Sequence, residues 1–226
     1  MADLLTLYGV MDQHDRESLL ELSTRANEPG WWQQFNDLLP QWFSPYLGME
    51  EASTVIRAYE VQGIHDLLQT EDYARKRYRL LDPEGTKNQI DRRVQIQMTR
   101  QQVLTRSSPP TLWVVLDEGA LRRSPDDVHV MREQVRHLIE MSELPNVVLQ
   151  IIPFGTYPVP GHSFSTLRFA SVDLPDVVYI QHLAGALYLD KPDDVSLYLS
   201  VMERLCTMAM SPDETGATLR TLLADL

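Results

Sequence analysis

Five short apolar segments between residues 112 and 189 decide the fold. They are LWVVLD (112–117), NVVLQIIP (146–153), SFSTLRFA (163–170), DVVYIQHL (176–183) and GALYL (185–189). Val, Ile, Tyr, Phe and Trp are enriched in these segments, and Gly, Pro, Asn or Asp separate them, which is the pattern of β-strands bounded by turns. The segments on either side of Pro175 and Asp176 are expected to pair as a hairpin. These residues predict the sheet of the protein.

Helical patterns flank the predicted strands on both sides. Thr70 is expected to cap a helix that ends at Leu81. Residues 87–106 predict a long amphipathic helix whose polar face is solvated or, as the alternative, contacts phosphate or DNA. That face carries Arg92, Arg93, Arg100 and Arg106. Residues 55–59 follow a run of helix formers, and they could instead form an extended segment.

A strand–helix–strand unit and two terminal helices complete the pattern. Ser124, followed by Pro125, predicts the start of a helix between the first two strands. The two strands could be parallel or antiparallel, because the connection is long enough for a crossover. One C-terminal helix is expected to follow Asp190, and Ser211 predicts a second one through a capping box.

These elements predict an α+β fold. A helical N-terminal half would pack on a small mixed or antiparallel β-sheet, with helices at the C-terminus. We predict one domain over residues 28–226, in which the helical part is 28–108 and the sheet-containing part is 109–226. The sequence SSPP (107–110) separates the two parts.

The composition excludes several classes of protein. The chain of 226 residues has a formal net charge of -12, which makes it a poor binder of DNA or of anionic membranes by itself. The single cysteine, Cys206, cannot form an internal disulfide, so a reducing compartment is expected. The sequence shows no secretory signal and no apolar run of about 18 residues, and it therefore predicts a cytoplasmic protein without a membrane partner.

The sequence contains no motif that requires an enzyme. We expect Asp117 and Glu118 to have a structural role, with Arg122 or Arg123 as the partner. We predict no metal and no cofactor, because the histidines lack metal-ligand spacing and no Gly-rich phosphate loop or nucleophile motif is present. If the protein is an enzyme, it would act on a small molecule at the sheet rim, near the loop FGTYPVPGH (154–162). The candidate catalytic residues are then Glu118, His162 and His182.

The sequence from residue 28 to the C-terminus resembles a known family of domains. The resemblance rests on EPGWWQQFNDLLPQWFSPYLGMEEAS (28–53), IRAYE (56–60), LLQTEDYAR (67–75), DRRVQIQMTRQQVLTR (91–106), LWVVLDEGALRR (112–123), LPNVVLQIIPF (144–154) and PDVVYIQHLAGALYLDKPDDV (175–195). These segments are similar, in the same order, to the C-terminal domain of unknown function of actinobacterial XRE-type helix-turn-helix transcriptional regulators. Three residues depart from that family: it usually has Pro-Gly where this chain has His65 and Asp66, and it often has Glu where this chain has Gln181.

The resemblance implies a regulatory domain that senses a ligand or a partner. Residues 1–27 would then be the remnant of a helix-turn-helix module and its connecting helix, and DNA would be bound only through a reading module absent from this chain. A homodimer is expected, because helix-turn-helix proteins read paired half-sites. The effector would be a small protein or a small molecule.

We predict that residues from the aromatic cluster, from the LLQT segment and from the sheet rim contact the ligand or partner. The aromatic cluster could alternatively be core between helices or a dimer face. The predicted binding residues are Trp31, Trp32, Trp42, Arg57, Gln69, Tyr73, Glu118, Phe154, His162, Tyr179, Gln181 and His182.

Overall fold

The computed structural model divides the chain into two compact units, 1–36 and 37–226. It describes residues 5–6, 12–13, 16, 30–123, 127–156, 161–171 and 174–226. Most of residues 1–27 lie outside these ranges, so the predicted helix-turn-helix remnant stays a prediction. In the first unit, Trp31–Phe35 is a 3-10 helix in which the rings of Trp31 and Trp32 meet edge to face, with centroids 5.8 Å apart.

The second unit is built on a six-stranded mixed sheet. Its strands are β1 (Ser53–Glu60), β2 (Thr111–Asp117), β3 (Val147–Ile152), β4 (Phe164–Phe169), β5 (Val177–His182) and β6 (Gly185–Leu189). The order across the sheet is β3-β2-β1-β4-β5-β6. Strands β1, β2 and β3 run parallel, whereas β4, β5 and β6 each pair antiparallel with the preceding strand in this order. The predicted α+β class, the five predicted strands and the β4–β5 hairpin are confirmed.

Seven α-helices lie in the described part of the chain. They are α1 (Ser44–Ala52), α2 (Glu71–Leu81), α3 (Lys87–Gln101), α4 (Glu118–Arg122), α5 (Val128–Ser142), α6 (Pro192–Met208) and α7 (Pro212–Asp225). Short 3-10 helices cover Asp66–Leu68 and Gln102–Leu104. The predicted cap at Thr70 and the capping box at Ser211 are both present.

Strand β1 corrects the expectation that the residues before the sheet-forming stretch are helical. Residues 53–60 lie within the part predicted to be helical, yet they form a central strand between β2 and β4. Ile56, Ala58 and Tyr59 are fully buried. A strand that is covered on both faces shows no polar alternation, which explains why its pattern was ambiguous.

Helices cover both faces of the sheet. The connections β1–β2 and β2–β3 both carry the chain in the same direction across the sheet, so they are parallel crossovers. One face packs a core that includes residues of α5 and α7, for example Leu138 and Leu219. The other face packs against α6 through Met202 and Leu205.

One predicted helix start and one predicted helix end also need correction. Helix α5 begins at Val128, and the carboxylate of Asp127 accepts the hydrogen bond of its first turn from the backbone N–H of His129 at 3.1 Å. Ser124 and Pro125 lie outside the described residues. Helix α3 ends at Gln101 rather than at 106, because the chain tightens there into a 3-10 turn.

Candidate functional site

The carboxyl ends of the parallel strands form the rim at which a site is expected. Strand β4 runs antiparallel to β1, and its first residue, Phe164, pairs with Tyr59, so the start of β4 lies at the same edge. The chain leaves β1 toward β2 and β3 on one side, whereas β4 flanks β1 on the other. In open parallel α/β sheets, ligands bind at the carboxyl ends of strands where the strand order reverses. Here the strand beyond the reversal is antiparallel, so the amino end of β4 meets the carboxyl end of β1. We define the rim site as Tyr59, Glu60, Asp117, Glu118, Arg123, Phe154, His162 and Ser163.

Glu60 and Ser163 join the end of β1 to the start of β4. The backbone N–H of Val61 donates to the Ser163 hydroxyl oxygen at 3.1 Å, and the Ser163 side chain is hydrogen-bonded to the Glu60 carboxylate. Burial, reinforced by the charge of Asp66, raises the pKa of Glu60 to about 7 despite Ser163 and Arg77. Glu60 can therefore gain or lose a proton near neutral pH.

Tyr59 places a buried hydroxyl beneath the same edge. The side chain is fully buried, and its ring packs near the ring of Phe164, with centroids 6.1 Å apart. Among the described residues, the Tyr59 hydroxyl has no hydrogen-bond partner. Burial and the charge of Asp117 raise its pKa to about 12, so the hydroxyl keeps its proton. A buried hydroxyl without a partner is costly, and it is often matched by water or a ligand.

The turns after β1, β2 and β3 are tied together by Glu118 and Arg123. One carboxylate oxygen of Glu118 pairs with Arg122 at 2.9 Å, and the other accepts from the backbone N–H of Phe154 at 2.9 Å. The latter hydrogen bond and the ion pair lower the pKa of Glu118. Arg123 donates to the carbonyl of Val61 at 2.8 Å. The structural role predicted for Glu118 thus has a geometric basis.

Gly119 allows the β2 turn to close this tightly. The carboxylate of Asp117 accepts from the Gly119 backbone N–H at 2.7 Å. A Cβ on Gly119 would lie only 2.7 Å from the same carboxylate oxygen. A larger residue would therefore displace Asp117 from its position in the rim site.

The two predicted site histidines take different partners. His162 Nε2 lies 3.2 Å from the hydroxyl of Tyr198 on α6. His182 is exposed, and its Nδ1 accepts from the backbone N–H of Ala184 within the β5–β6 turn at 3.3 Å.

A partly buried charge cluster lies next to the rim site. We define it as Glu50, His65, Asp66, Arg77 and Arg100. Arg100 donates to both carboxylate oxygens of Glu50, at 3.0 and 2.9 Å, and to Asp66 at 2.9 Å. Arg77 donates to the other oxygen of Asp66 at 2.8 Å. The prediction that Arg100 lies on a solvated helix face is therefore wrong, because its side chain is only 3% exposed.

The environment of the charge cluster sets the protonation states of Asp66 and His65. Although burial opposes it, the cations Arg77 and Arg100 hold the pKa of Asp66 well below its usual range. Burial lowers the pKa of His65 to about 4. The neutral His65 ring accepts from the backbone N–H of Leu67 through Nδ1 at 3.2 Å. Two of the three residues at which the sequence departs from the resembled family, His65 and Asp66, thus belong to one partly buried network.

Two other predicted binding residues lie beside the charge cluster. Gln69 is fully buried and donates to the carbonyl of Ile64 at 2.7 Å. Tyr73 is buried, and its hydroxyl accepts from the backbone N–H of Ile64 at 3.4 Å. Both side chains hold the turn that follows β1.

The remaining predicted binding residues are spread over the sheet. Tyr179 packs on Tyr46, with ring centroids 4.1 Å apart, and its hydroxyl donates to the exposed Gln181 at 3.1 Å. The carbonyl of Trp42 accepts from the hydroxyl of Tyr188 at 2.6 Å. Arg57 lies on the opposite face of the sheet, above the ring of Trp113. The predicted set therefore does not form one site within residues 37–226.

Two shallow surface clefts lie elsewhere. One, of about 370 Å³, is lined by Asp72, Arg75, Lys76, Arg79, Asp127 and Val130. The other, of about 250 Å³, lies between α4 and α7 and touches the rim site only at Glu118. In the described ranges, no group of three His, Cys, Asp or Glu side chains could hold a metal ion. No helix in those ranges is both apolar enough and long enough to cross a membrane.

Fold and site together define a mixed α+β domain whose polar rim lies where the strand order reverses. Residues 43–221 match a family described as a domain of unknown function (DUF5753), and the chain belongs to that family. No curated protein and no solved structure matches the chain.

Proposed function

We propose that residues 37–226 are the regulatory domain of an actinobacterial XRE-type transcriptional regulator, and that the rim site binds the effector. The resemblance to regulators of that type and the membership of the DUF5753 family support this role. The observation that carries the choice of site is Glu60. Glu60 is half-buried at the strand-order reversal, and its carboxylate forms no ion pair with any described residue.

The charges around the rim favour a cationic effector over an anionic one. Helix α2 follows the turn after β1 and carries Glu71 and Asp72 in its first turn. A phosphate-binding helix would instead leave the backbone amides of that turn free for the anion. Residues 61–70 contain one glycine and no Gly-rich phosphate loop. An amine or guanidinium at Glu60 would supply the missing counter-charge.

An enzyme that uses Glu118, His162 and His182 has less support. Both oxygens of Glu118 are engaged by Arg122 and Phe154. The two histidines bond to Tyr198 and Ala184 respectively. The three side chains form no hydrogen bond with one another in the described part of the chain, so none of them activates another as a base or nucleophile.

Native mass spectrometry of the chain, purified without denaturation from an actinobacterial host, is the first test. A retained cationic small molecule or basic partner would support the proposal, and a retained anion would contradict it. Spermidine and arginine amide then serve as probes in thermal-shift titrations at pH 8, with glutamate as the anionic control. We expect the cations, but not glutamate, to raise the unfolding temperature.

Glu60→Gln is the decisive variant, because the amide keeps the shape of the side chain and removes its charge. It should weaken binding of the cationic probes at least tenfold. Glu143→Gln is the matched control, since Glu143 is exposed and follows α5 at the opposite end of the sheet. Lowering the pH from 8 to 5.5 should weaken binding to the wild type, because Glu60 takes up a proton near pH 7. Equal binding by Glu60→Gln and the wild type would refute the site.

A further inference from the structure

The described part of the chain covers one edge strand of the sheet, β3, and leaves the other, β6, unpaired on its outer side. At β3, the backbone N–H of Met210 donates to the carbonyl of Ile151 at 2.8 Å. The N–H of Ile151 donates to the Thr215 hydroxyl at 3.2 Å. The connection between α6 and α7 therefore caps this edge. At the other edge, no described segment pairs with the outer side of β6.

Strand β6 lacks the features that usually protect a sheet edge. Gly185–Leu189 contains no charged residue and no proline, and its register with β5 is uninterrupted. Native edges are normally blunted by charges, prolines or bulges, because unpaired N–H and C=O groups recruit another strand. Leu187 is 51% exposed and Leu183, in the adjoining turn, is 100% exposed. An edge of this kind is expected to be covered by a partner.

The geometry points to a second copy of this chain as that partner, with β6 pairing antiparallel to its own copy about a two-fold axis at Leu187. In this register Gly185 faces Leu189 of the copy, Ala186 faces Tyr188, and Leu187 faces Leu187. In this arrangement each copy presents the same strand to the other, as a closed two-fold interface requires. The two sheets would join into one continuous sheet.

The composition and rigidity of β6 suit this occupant. Each copy has a formal net charge of -12, which opposes self-association, so two copies can meet only through a surface that adds no like-charge pairs. Strand β6 is such an uncharged strip. It is also held in place, because the Tyr188 hydroxyl donates to the carbonyl of Trp42 and the Tyr188 ring packs near that of Tyr179. A preorganised edge loses little conformational freedom on pairing.

The size of the interface sets its expected strength. A stable interface buries about 800 Å² on each partner, and five paired residues with their neighbouring side chains bury less. We therefore expect a dimer that dissociates in the micromolar range. The interface is separate from the rim site, so its loss should leave the binding of cationic probes unchanged. Failure of either proposal can thus be recognised independently of the other.

Sedimentation velocity of the full chain over about 1–200 μM tests the assignment through mass action. The wild type should shift from monomer to dimer. Leu187→Lys should weaken dimerisation at least tenfold, whereas Leu197→Lys should not. Leu197, on α6, is a matched control, because it is 59% exposed and lies off the edge. A wild type that stays monomeric throughout would overturn the assignment, as would equal dimerisation of the two variants.

A cross-linking variant tests the register directly. Residues facing each other across an antiparallel pair have Cβ atoms about 4.5–5.5 Å apart, so a small approach of the two strands brings a pair within the roughly 3.5–4.5 Å that a disulfide spans. In a Cys206→Ala background, Leu187→Cys should form a disulfide-linked dimer on mild oxidation, and Leu197→Cys should not. Cross-linking of Leu197→Cys but not of Leu187→Cys would contradict the proposed pairing. Circular dichroism confirms that each variant is folded.

Discussion

Replacement of Arg100 by Met should strongly destabilise the domain, because it leaves a carboxylate buried without its cation. Glu50 is 2% exposed and takes both of its hydrogen bonds of about 3 Å from Arg100. The Arg100 guanidinium also lies over the rings of Phe43 and Tyr46. Breaking a buried pair by removal of one partner costs about 3–5 kcal/mol. That is a large share of the roughly 5–15 kcal/mol by which a domain is stable.

Urea unfolding followed by circular dichroism at pH 7 measures this loss. Arg93→Met is the control on the same helix, since Arg93 pairs with Asp82 at 2.8 Å where both side chains are about 30% exposed. Partly exposed pairs contribute at most about 1 kcal/mol. The control variant should therefore unfold at nearly the wild-type urea concentration.

A double variant separates the lost ion pair from lost packing. Glu50→Gln removes the charge that Arg100→Met leaves unpaired, so the two substitutions together should cost less than the sum of the single ones. Coupling of about 1–3 kcal/mol is expected for side chains in direct contact. The reasoning is refuted if Arg100→Met costs no more than Arg93→Met, or if the costs of Glu50→Gln and Arg100→Met simply add.

Two titratable groups predict opposite dependences of stability on pH. The folded state raises the pKa of Glu60 from 4.5 to about 7, so it binds a proton that the unfolded chain has already released, and stability falls as the pH rises through 7. The stability of Glu60→Gln relative to the wild type should therefore be greater at pH 8 than at pH 4. An equal difference at the two pH values would contradict the assignment. The folded state lowers the pKa of His65 from 6.5 to about 4, so stability should fall as the pH drops from 6.5 toward 4. His65→Asn can keep an acceptor for the Leu67 N–H and should flatten this fall. Urea midpoints measured between pH 6.5 and 4 in the Glu60→Gln background test this prediction. If His65→Asn leaves the dependence of the midpoint on pH unchanged, His65 is not the cause of the fall in stability.

Local patterns in the sequence were enough to predict most of the sheet and several caps. Strand β6 and the β4–β5 hairpin were identified because β-branched and aromatic runs end at Gly, Pro or Asp. An ion pair between Asp117 or Glu118 and Arg122 or Arg123 was expected, because these residues follow one another closely at the end of a strand. Each of these features depends on residues that are close in the chain.

The rim site and the charge cluster could not be predicted in this way. Helical periodicity places Arg100 with three other arginines on a polar face, and nothing nearby shows that Glu50 meets it from 50 positions earlier. Glu60 is one acid among many until the pairing of β1 with β4 brings Ser163 beside it. Both groupings depend on contacts between distant segments, and on a buried central strand that lacks alternation.

The position of β1 in the sheet also affects synthesis of the protein on the ribosome. The Thr54 hydroxyl donates to the carbonyl of Arg168, which is made 114 residues later. At about 5–20 residues per second, the ribosome needs roughly 6–23 s to add the intervening residues. During that interval one side of an apolar strand has no native neighbour, and it is open to pairing with other nascent chains. Chains that terminate before residue 164 should therefore be substrates for chaperones or proteases rather than folded fragments.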